Sequence, residues 1–538
     1  MTELAASHHG WPQRGLKPFA WVRIMAIGTA MILAALATRK GPGLSVDSVN
    51  YLSTGINIAN GDDWVVLTGQ PLTIFPPGLP LLAALGEVGG IGAETMLRII
   101  SIVSFGLIVG LGSRLVQRVV PHRGVELGAT AILAVSPALL GVATMAWSEP
   151  PFIVVTLIFL FVLGDIWQRG ALTTTDVLRL AGLCWMAFIL RYAGTALIAA
   201  AGVSMLIAIR PLDRRVLTRI SAFGVLSMSF PILWMLRNYG ADGTYMGHHS
   251  PSQDSIRVVA ARTGAVFGDW AVPMFDPSTR VLTVIGIVGV VLIMVGVVSV
   301  LRSDRAETAG GVQRGQLLAC TTFAIVYVSY FTVASVATSF EPTNSRYMSP
   351  VYVPGLVLAS AGLGALLNRP AGRRWSVAVG GAAVLVWAGL LITTIGDVRD
   401  GFTNGIGYNA DARTQSELAA VSAAIVRQAA PAKVFSNEVS SLWAATGLQP
   451  IKWAPRDVGF RGAPAVGELD AFVNDVRCSP QVTYLVYYLV GNPRVVSLNE
   501  IRAVVDVERV AGAADGTLFR VSARDDGPCP GPERLPTP

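Results

Sequence analysis

A few side chains in this sequence combine chemical capability with an unusual setting. Asp47 stands just past the first apolar run, in Leu44-Ser45-Val46-Asp47-Ser48-Val49-Asn50-Tyr51. Glu149 lies in the short connection Ala146-Trp147-Ser148-Glu149-Pro150-Pro151, between two more apolar runs. A carboxylate held at a membrane surface can serve as a general base toward a hydroxyl nucleophile, or line a polar cavity. Both acids have an ordinary alternative. Ser45, Asp47 or Ser48 could cap a helix through 49–59, and Ser148 or Glu149 could cap the next one, with proline in its first turn. Three arginines interrupt apolar sequence: Arg191 in Leu190-Arg191-Tyr192-Ala193-Gly194, Arg237 in Leu236-Arg237-Asn238-Tyr239, and Arg346 in Ser345-Arg346-Tyr347. A guanidinium matches phosphate through paired donors. Its ordinary alternative is snorkelling to the interface. Convergence of these arginines with the two acids would make an anionic headgroup site. The histidines (His8, His9, His122, His248 and His249) complete no zinc-ligand spacing, so neither a metal nor another cofactor is expected.

The elements that must position these residues follow from composition. The chain has 538 residues, 52% hydrophobic and 14% charged, where a soluble domain carries roughly 25% charged residues. The net charge of +7 is modest for this length, so the basic residues are read as setting topology and not as binding nucleic acid. Apolar runs predict about eleven transmembrane helices, near 18–38, 96–113, 126–145, 150–167, 178–190, 192–209, 217–236, 280–301, 316–337, 349–367 and 375–395. The pair at 178–209 is split by Arg191. A further run, Phe75–Leu85, introduced by Pro76-Pro77-Gly78, is too short to cross and reads as an interfacial helix.

Arginine distribution supports this count. Arg14, Lys17 and Arg23; Arg114, Arg118 and Arg123; Arg169 and Arg179; Arg210, Arg214, Arg215 and Arg219; Arg302, Arg305 and Arg314; and Arg369, Arg373 and Arg374 all fall on one side. By the positive-inside rule that side is cytoplasmic. The exception is Arg39-Lys40 at the outer end of the first span. The first run lacks a cleavage site and reads as a retained anchor. The predicted organisation is therefore a mainly α transmembrane module, 1–396, and an extracytoplasmic α/β domain, 397–538. The protein is expected as a multi-pass protein of the plasma (inner) membrane with its N-terminus cytoplasmic. Within the domain, Gln415–Gln428 reads as a helix and Thr483–Tyr488 as a strand. Cys184 and Cys320 read as buried hydrophobes; Cys478 and Cys529 are either a disulfide or two free thiols. Trp443 and Trp453 are either sugar-stacking platforms or domain core.

An acid just after the first span, Tyr51, a Gly61-Asp62-Asp63 stretch and then Phe75-Pro76-Pro77-Gly78-Leu79-Pro80 together resemble the opening of the GT-C membrane glycosyltransferases. The nearest likeness is to bacterial family-39-like enzymes, which include protein O-mannosyltransferases and lipid A aminoarabinose transferases. Ser148-Glu149-Pro150, Leu190-Arg191-Tyr192-Ala193-Gly194 and Ser345-Arg346-Tyr347 extend the resemblance in order over 18–367. It implies a polyprenyl-phosphate sugar donor, a glycan, lipid or protein acceptor, and a role in building the cell envelope. It implies inverting transfer with Asp47 as base and Glu149 orienting the acceptor or the catalytic groups. Arg191 and Arg346, with Arg237 behind them, would stabilise the leaving phosphate. Tyr51, Tyr192 and Tyr347 complete the expected substrate site. One departure is Asp47-Ser48, where O-mannosyltransferases carry an Asp-Glu pair. Another is the lack of histidine-rich outer loops, which favours metal-independent chemistry.

A transporter or flippase for a lipid-linked or anionic substrate is the rival class. It would also have many helices and intramembrane arginines. The absence of an apparent inverted repeat and the gathering of charge at one face speak against it. An inactive scaffold keeping the fold is a third reading.

Overall fold

The computed structural model describes residues 17–120, 122–275, 277–302, 311–339, 341–368, 376–457, 464–492, 494–524 and 529. Arg14, His8, His9, Arg305, Arg369, Arg373 and Arg374 lie outside the described residues. The membrane module runs α1 (Lys17–Ala37), α2 (Val46–Ala59), α3 (Gly78–Val88), α4 (Ala93–Val119), α5 (Arg123–Ala134), α6 (Pro137–Ala143), α7 (Glu149–Arg169) and α8 (Thr174–Leu190). A 3-10 turn at Tyr192–Gly194 leads to α9 (Thr195–Ala208), α10 (Arg214–Asp242), α11 (Ile256–Ala271), α12 (Thr279–Leu301), α13 (Gly311–Ala337), α14 (Ser345–Leu367) and α15 (Ser376–Asn404).

Among the described residues nine helices are long and apolar enough to cross a membrane. They make this a multi-pass membrane protein. The eleven expected segments differ from these nine only in the pair expected to break at Arg191, and that break is present. The pair split at Arg191 forms two shorter helices, α8 with 17 residues and α9 with 14. Arg191 adopts an extended backbone that ends α8 and prevents one continuous span. Outward-facing apolar side chains fit lipid contact. In α12 only 11% of the apolar window is buried, and Val284, Leu292 and Val295 are 59–65% exposed. Such a surface is stable in hydrocarbon and costly in water. Phe75–Leu85 does form a short helix, α3 of 11 residues, lying on α2.

The C-terminal unit comprises α16 (Asp411–Thr414), α17 (Glu417–Gln428), β1 (Ala432–Ser436), α18 (Val439–Thr446), β2 (Ile451–Trp453), α19 (Glu468–Arg477), β3 (Val482–Tyr488), α20 (Leu498–Val504), β4 (Val505–Ala513) and β5 (Gly516–Ala523). Its sheet has the order β2-β1-β3-β5-β4, with β2, β1 and β3 parallel and β5 antiparallel to both β3 and β4. α15 carries on to Asn404, so the membrane helix feeds directly into the linker. Trp443 is buried in the core, and Trp453 is half-buried beneath the Arg456 guanidinium at 4.0 Å. Both indoles therefore belong to the packing of the unit. Cys478 and Cys529 form a disulfide with Cα atoms 5.6 Å apart. Cys184 and Cys320 are free and buried.

The unit is locked onto the membrane module by the loops that precede α2 and α7. Gly43 bridges Met145 and Leu44 bridges Gly407, so three chain segments run side by side. Ala146 N donates to Gly43 O at 2.9 Å and Tyr408 N donates to Leu44 O at 2.9 Å. Nearby, Lys40 pairs with Asp411 at 2.6 Å and Arg39 lies over the Phe402 ring at 4.6 Å. These partners account for the Arg39-Lys40 exception. Both residues clamp the junction.

Candidate active site

Asp47 enters the site because Ser45 takes the capping role. The Ser45 hydroxyl accepts from Ser48 N at the start of α2, leaving Asp47 in the first turn with its carboxylate free of the backbone. A carboxylate there is also favoured by the helix dipole. Glu149 is placed the same way at the start of α7, where Pro150 and Pro151 replace N–H groups that would have no helical partner. The Ser148 hydroxyl makes no cap bond; it accepts from Arg191 Nη1 at 3.0 Å.

Arg346 sits in the first turn of α14, the wrong end for a cation by the dipole argument. Carboxylates compensate. Arg346 Nη2 meets Asp47 Oδ2 at 2.5 Å, and its Nε meets Glu149 Oε1 at 2.5 Å. The Trp147 ring lies 4.1 Å from its Cζ, and the indole N–H donates to Ser45 Oγ at 2.8 Å. The backbone at Arg346 is held as well. Pro350 cannot donate to the Arg346 carbonyl four residues back, and the Ser349 hydroxyl fills that role at 2.7 Å. Arg191 completes the cluster by an ion pair to Glu149 Oε1. Close packing fixes the Arg191 segment: a Cβ at Gly194 would stand 2.4 Å from Phe188 N, and one at Gly78 would stand 2.6 Å from Ile189 O.

The four charges form a neutral chain, Asp47–Arg346–Glu149–Arg191. Its members differ sharply in access. The Asp47 side chain is 26% exposed, against 1% for Glu149, 8% for Arg346 and 13% for Arg191. Glu149 Oε2 and Arg191 Nε are buried without a hydrogen-bond partner among the described residues. Unmet polar atoms of this kind are rare in packed interiors and concentrate at functional sites. Tyr51 packs its ring against Phe75 at 4.9 Å, and burial followed by the nearby Asp47 charge pushes its phenol well above the usual value. Tyr347 lies 5.7 Å from the Arg346 guanidinium. A cavity of about 450 Å³ opens on the other side of Arg346 and Trp147.

Two expected residues lie elsewhere. Tyr192 follows Arg191 but faces away from the acids. Its hydroxyl donates to Thr73 O at 2.5 Å and accepts from Asn238 Nδ2 at 3.0 Å and Trp234 Nε1 at 3.2 Å. Arg237 donates to Leu72 O at 2.6 Å and stacks on Trp234. Both brace the 64–75 loop against α10, so the expectation that they join the carboxylates is corrected. Carbonyl oxygens satisfy them there. Trp147, Ser45 and Ser148 belong to the cluster and were not anticipated as site residues. Their proximity to Asp47 and Glu149 in sequence was the available signal. No group of three or more His, Cys, Asp or Glu side chains among the described residues is arranged to hold a metal ion.

No family model matches the chain, and no curated protein matches it by sequence. Solved structures do. ArnT from Cupriavidus metallidurans in the apo state superposes with a TM-score of 0.56 at 15% identity, over 93% of this chain and 98% of that one. The chain has the GT-C fold. The same ArnT bound to undecaprenyl phosphate gives a TM-score of 0.57 at 14% identity, over 94% and 98% of the two chains. The mycobacterial arabinofuranosyltransferase AftD aligns over 94% of this chain and 42% of its own, with a TM-score of 0.46 and 14% identity. The ArnT match extends through the C-terminal unit, since nearly the whole of both chains is covered.

Proposed function

We propose that this protein is a membrane glycosyltransferase that moves a sugar from a polyprenyl-phosphate donor to an acceptor hydroxyl. The reading is carried by one observation: a neutral, largely buried cluster of two carboxylates and two guanidiniums in which Asp47 alone is substantially open. The shared fold with ArnT, one structure of which holds undecaprenyl phosphate, supports the donor class. Asp47 takes the acceptor hydroxyl proton as the acceptor oxygen bonds to the anomeric carbon. The bond from that carbon to the phosphate oxygen breaks on the opposite face, with inversion, and the lipid phosphate leaves. Arg346 and Arg191 lower the cost of the charge that gathers on that oxygen. Glu149 touches neither substrate in this scheme. It is a positioning residue that holds both guanidiniums.

An extracytoplasmic site fits the charge distribution. The arginine-rich helix ends lie at the opposite face, which the positive-inside rule assigns to the cytoplasm. The protein is accordingly a plasma-membrane enzyme with a cytoplasmic N-terminus, its C-terminal unit standing over the site as a platform for a glycan, lipid or protein acceptor. Donor binding tests the arginine roles. Arg191→Ala combined with Arg346→Ala is expected to weaken binding of a radiolabelled polyprenyl-phosphate sugar at least tenfold. Unchanged binding would remove both residues from the mechanism.

A further inference from the structure

The cavity beyond the cluster is bordered by Arg346 and Trp147 and otherwise lined by groups that the ion pairs leave unused. Its walls come from α6, the end of α11, the start of α14 and the outer part of α15. Two carboxylates, Asp269 and Asp397, face it, and no cation pairs with either among the described residues. Two indoles, Trp147 and Trp270, stand in the wall. Each is tethered to a serine beside a residue of the cluster. Trp147 Nε1 donates to Ser45 Oγ, two residues before Asp47, at 2.8 Å. Trp270 Nε1 donates to Ser345 Oγ, next to Arg346, at 2.8 Å, and its ring meets Tyr352 edge-on at 5.0 Å. The rings are thus fixed before any ligand arrives.

We infer that this cavity receives a neutral sugar ring, with Asp269 and Asp397 as specificity-determining residues for it. The inference rests on the glycosyltransferase reading. The charges decide the ligand class. Arg346 also lines the cavity, but its charge is shared by Asp47 and Glu149, so two carboxylates without an ion-pair partner among the described residues disfavour a phosphate there. They accept hydrogen bonds from hydroxyls, and a ring with several hydroxyls can satisfy both. The fixed indoles offer flat apolar surface for the face of such a ring. A volume of about 450 Å³ falls within the roughly 300–1,000 Å³ of small-molecule sites. The ring belongs either to the donor or to the acceptor; the chemistry is the same, and the test separates them.

The experiment measures equilibrium binding of radiolabelled prenyl phosphate and of synthetic prenyl-phosphate pentoses and hexoses to the full-length protein. Initial rates with a saccharide acceptor are measured in parallel. If the donor ring occupies the cavity, wild-type protein binds at least one prenyl-phosphate sugar about tenfold more tightly than prenyl phosphate, and Asp269→Asn with Asp397→Asn removes that gain. If the acceptor ring occupies it, the double variant raises the acceptor KM about tenfold, with kcat within threefold and donor affinity unchanged. Trp270→Phe, which keeps an aromatic ring but loses the tether to Ser345, is expected to give a smaller change in the same constant. A double variant indistinguishable from wild type in donor affinity and acceptor KM, or one that loses kcat alone, overturns the assignment. Wild-type protein that neither binds prenyl phosphate nor turns over fails the broader reading, a result distinct from failure of the cavity alone.

Discussion

Arg191 and Tyr192 are neighbours in sequence and look into two different polar networks. The Arg191 network joins two carboxylates to two guanidiniums and leaves Glu149 Oε2 and Arg191 Nε without partners among the described residues. The Tyr192 network joins Asn238, Trp234, Thr73 and Arg237 through hydrogen bonds that end on backbone carbonyls. Both contain an arginine, aromatic rings and a tyrosine near one end of the helices. Residue type therefore does not separate them. Satisfaction of polar groups does. A network closed on the backbone braces a loop, while one that keeps charge, unmet donors and an open carboxylate is arranged for something that arrives from outside.

The largest expected effect tests the open end of the first network. Asp47→Asn is expected to lower kcat by roughly 10²–10⁴, the usual contribution of a general base, with little change in thermal midpoint. Next comes the buried pairing. Arg346→Ala strands the Asp47 carboxylate, leaves Glu149 with Arg191 alone, and is expected to destabilise the protein by about 3–5 kcal/mol, read as a lowered unfolding midpoint in detergent. A change near zero would mean that water reaches the cluster and screens its ion pairs. The second network should respond differently. Tyr192→Phe removes one donor to Thr73 O and is expected to cost about 1 kcal/mol while leaving turnover within threefold. Loss of turnover without loss of stability would break the distinction between the two regions.

The smallest effect concerns a half-buried counterpart, Asp475 between Lys433 and Lys452. Burial alone would raise this carboxyl, but hydrogen bonds from Lys452 and Lys433 outweigh it and hold the group below its ordinary value of 3.8. A depressed carboxyl stabilises the fold above its unfolded value and loses that contribution as pH falls through the lowered one. Asp475→Asn is therefore expected to lower the unfolding midpoint slightly at pH 7. The difference from wild type should shrink below about pH 4. The same sign at every pH with no convergence would place the effect in packing.

Much of this was readable in the sequence, and the limits have physical causes. Long apolar runs report membrane helices because lipid leaves the backbone few other choices. The break at Arg191 and the short α3 followed from that rule and from proline. Asp47, Glu149, Arg191 and Arg346 stood out because charge beside apolar sequence is costly and so informative. Arg237 and Tyr192 stood out for the same reason and turned out to brace a loop, because sequence does not show which carbonyls a side chain reaches. The competition between Ser45 and Asp47 for the cap was undecidable from residue type; both are good caps, and backbone geometry chose Ser45. Asp397 went unremarked because the expected span ended at 395, and α15 carries it within the same helix to Asn404.

Sugar transfer from a lipid phosphate at the Asp47 cluster can be measured directly. The most direct measurement incubates the purified protein in proteoliposomes with radiolabelled polyprenyl-phosphate sugars and a cell-envelope glycan extract, beside the Asp47→Asn variant. Label is expected to pass to acceptor with the wild type, with transfer by the variant reduced at least a hundredfold while donor binding persists. Lipid movement across the bilayer without sugar transfer, or full transfer by Asp47→Asn, would contradict that expectation.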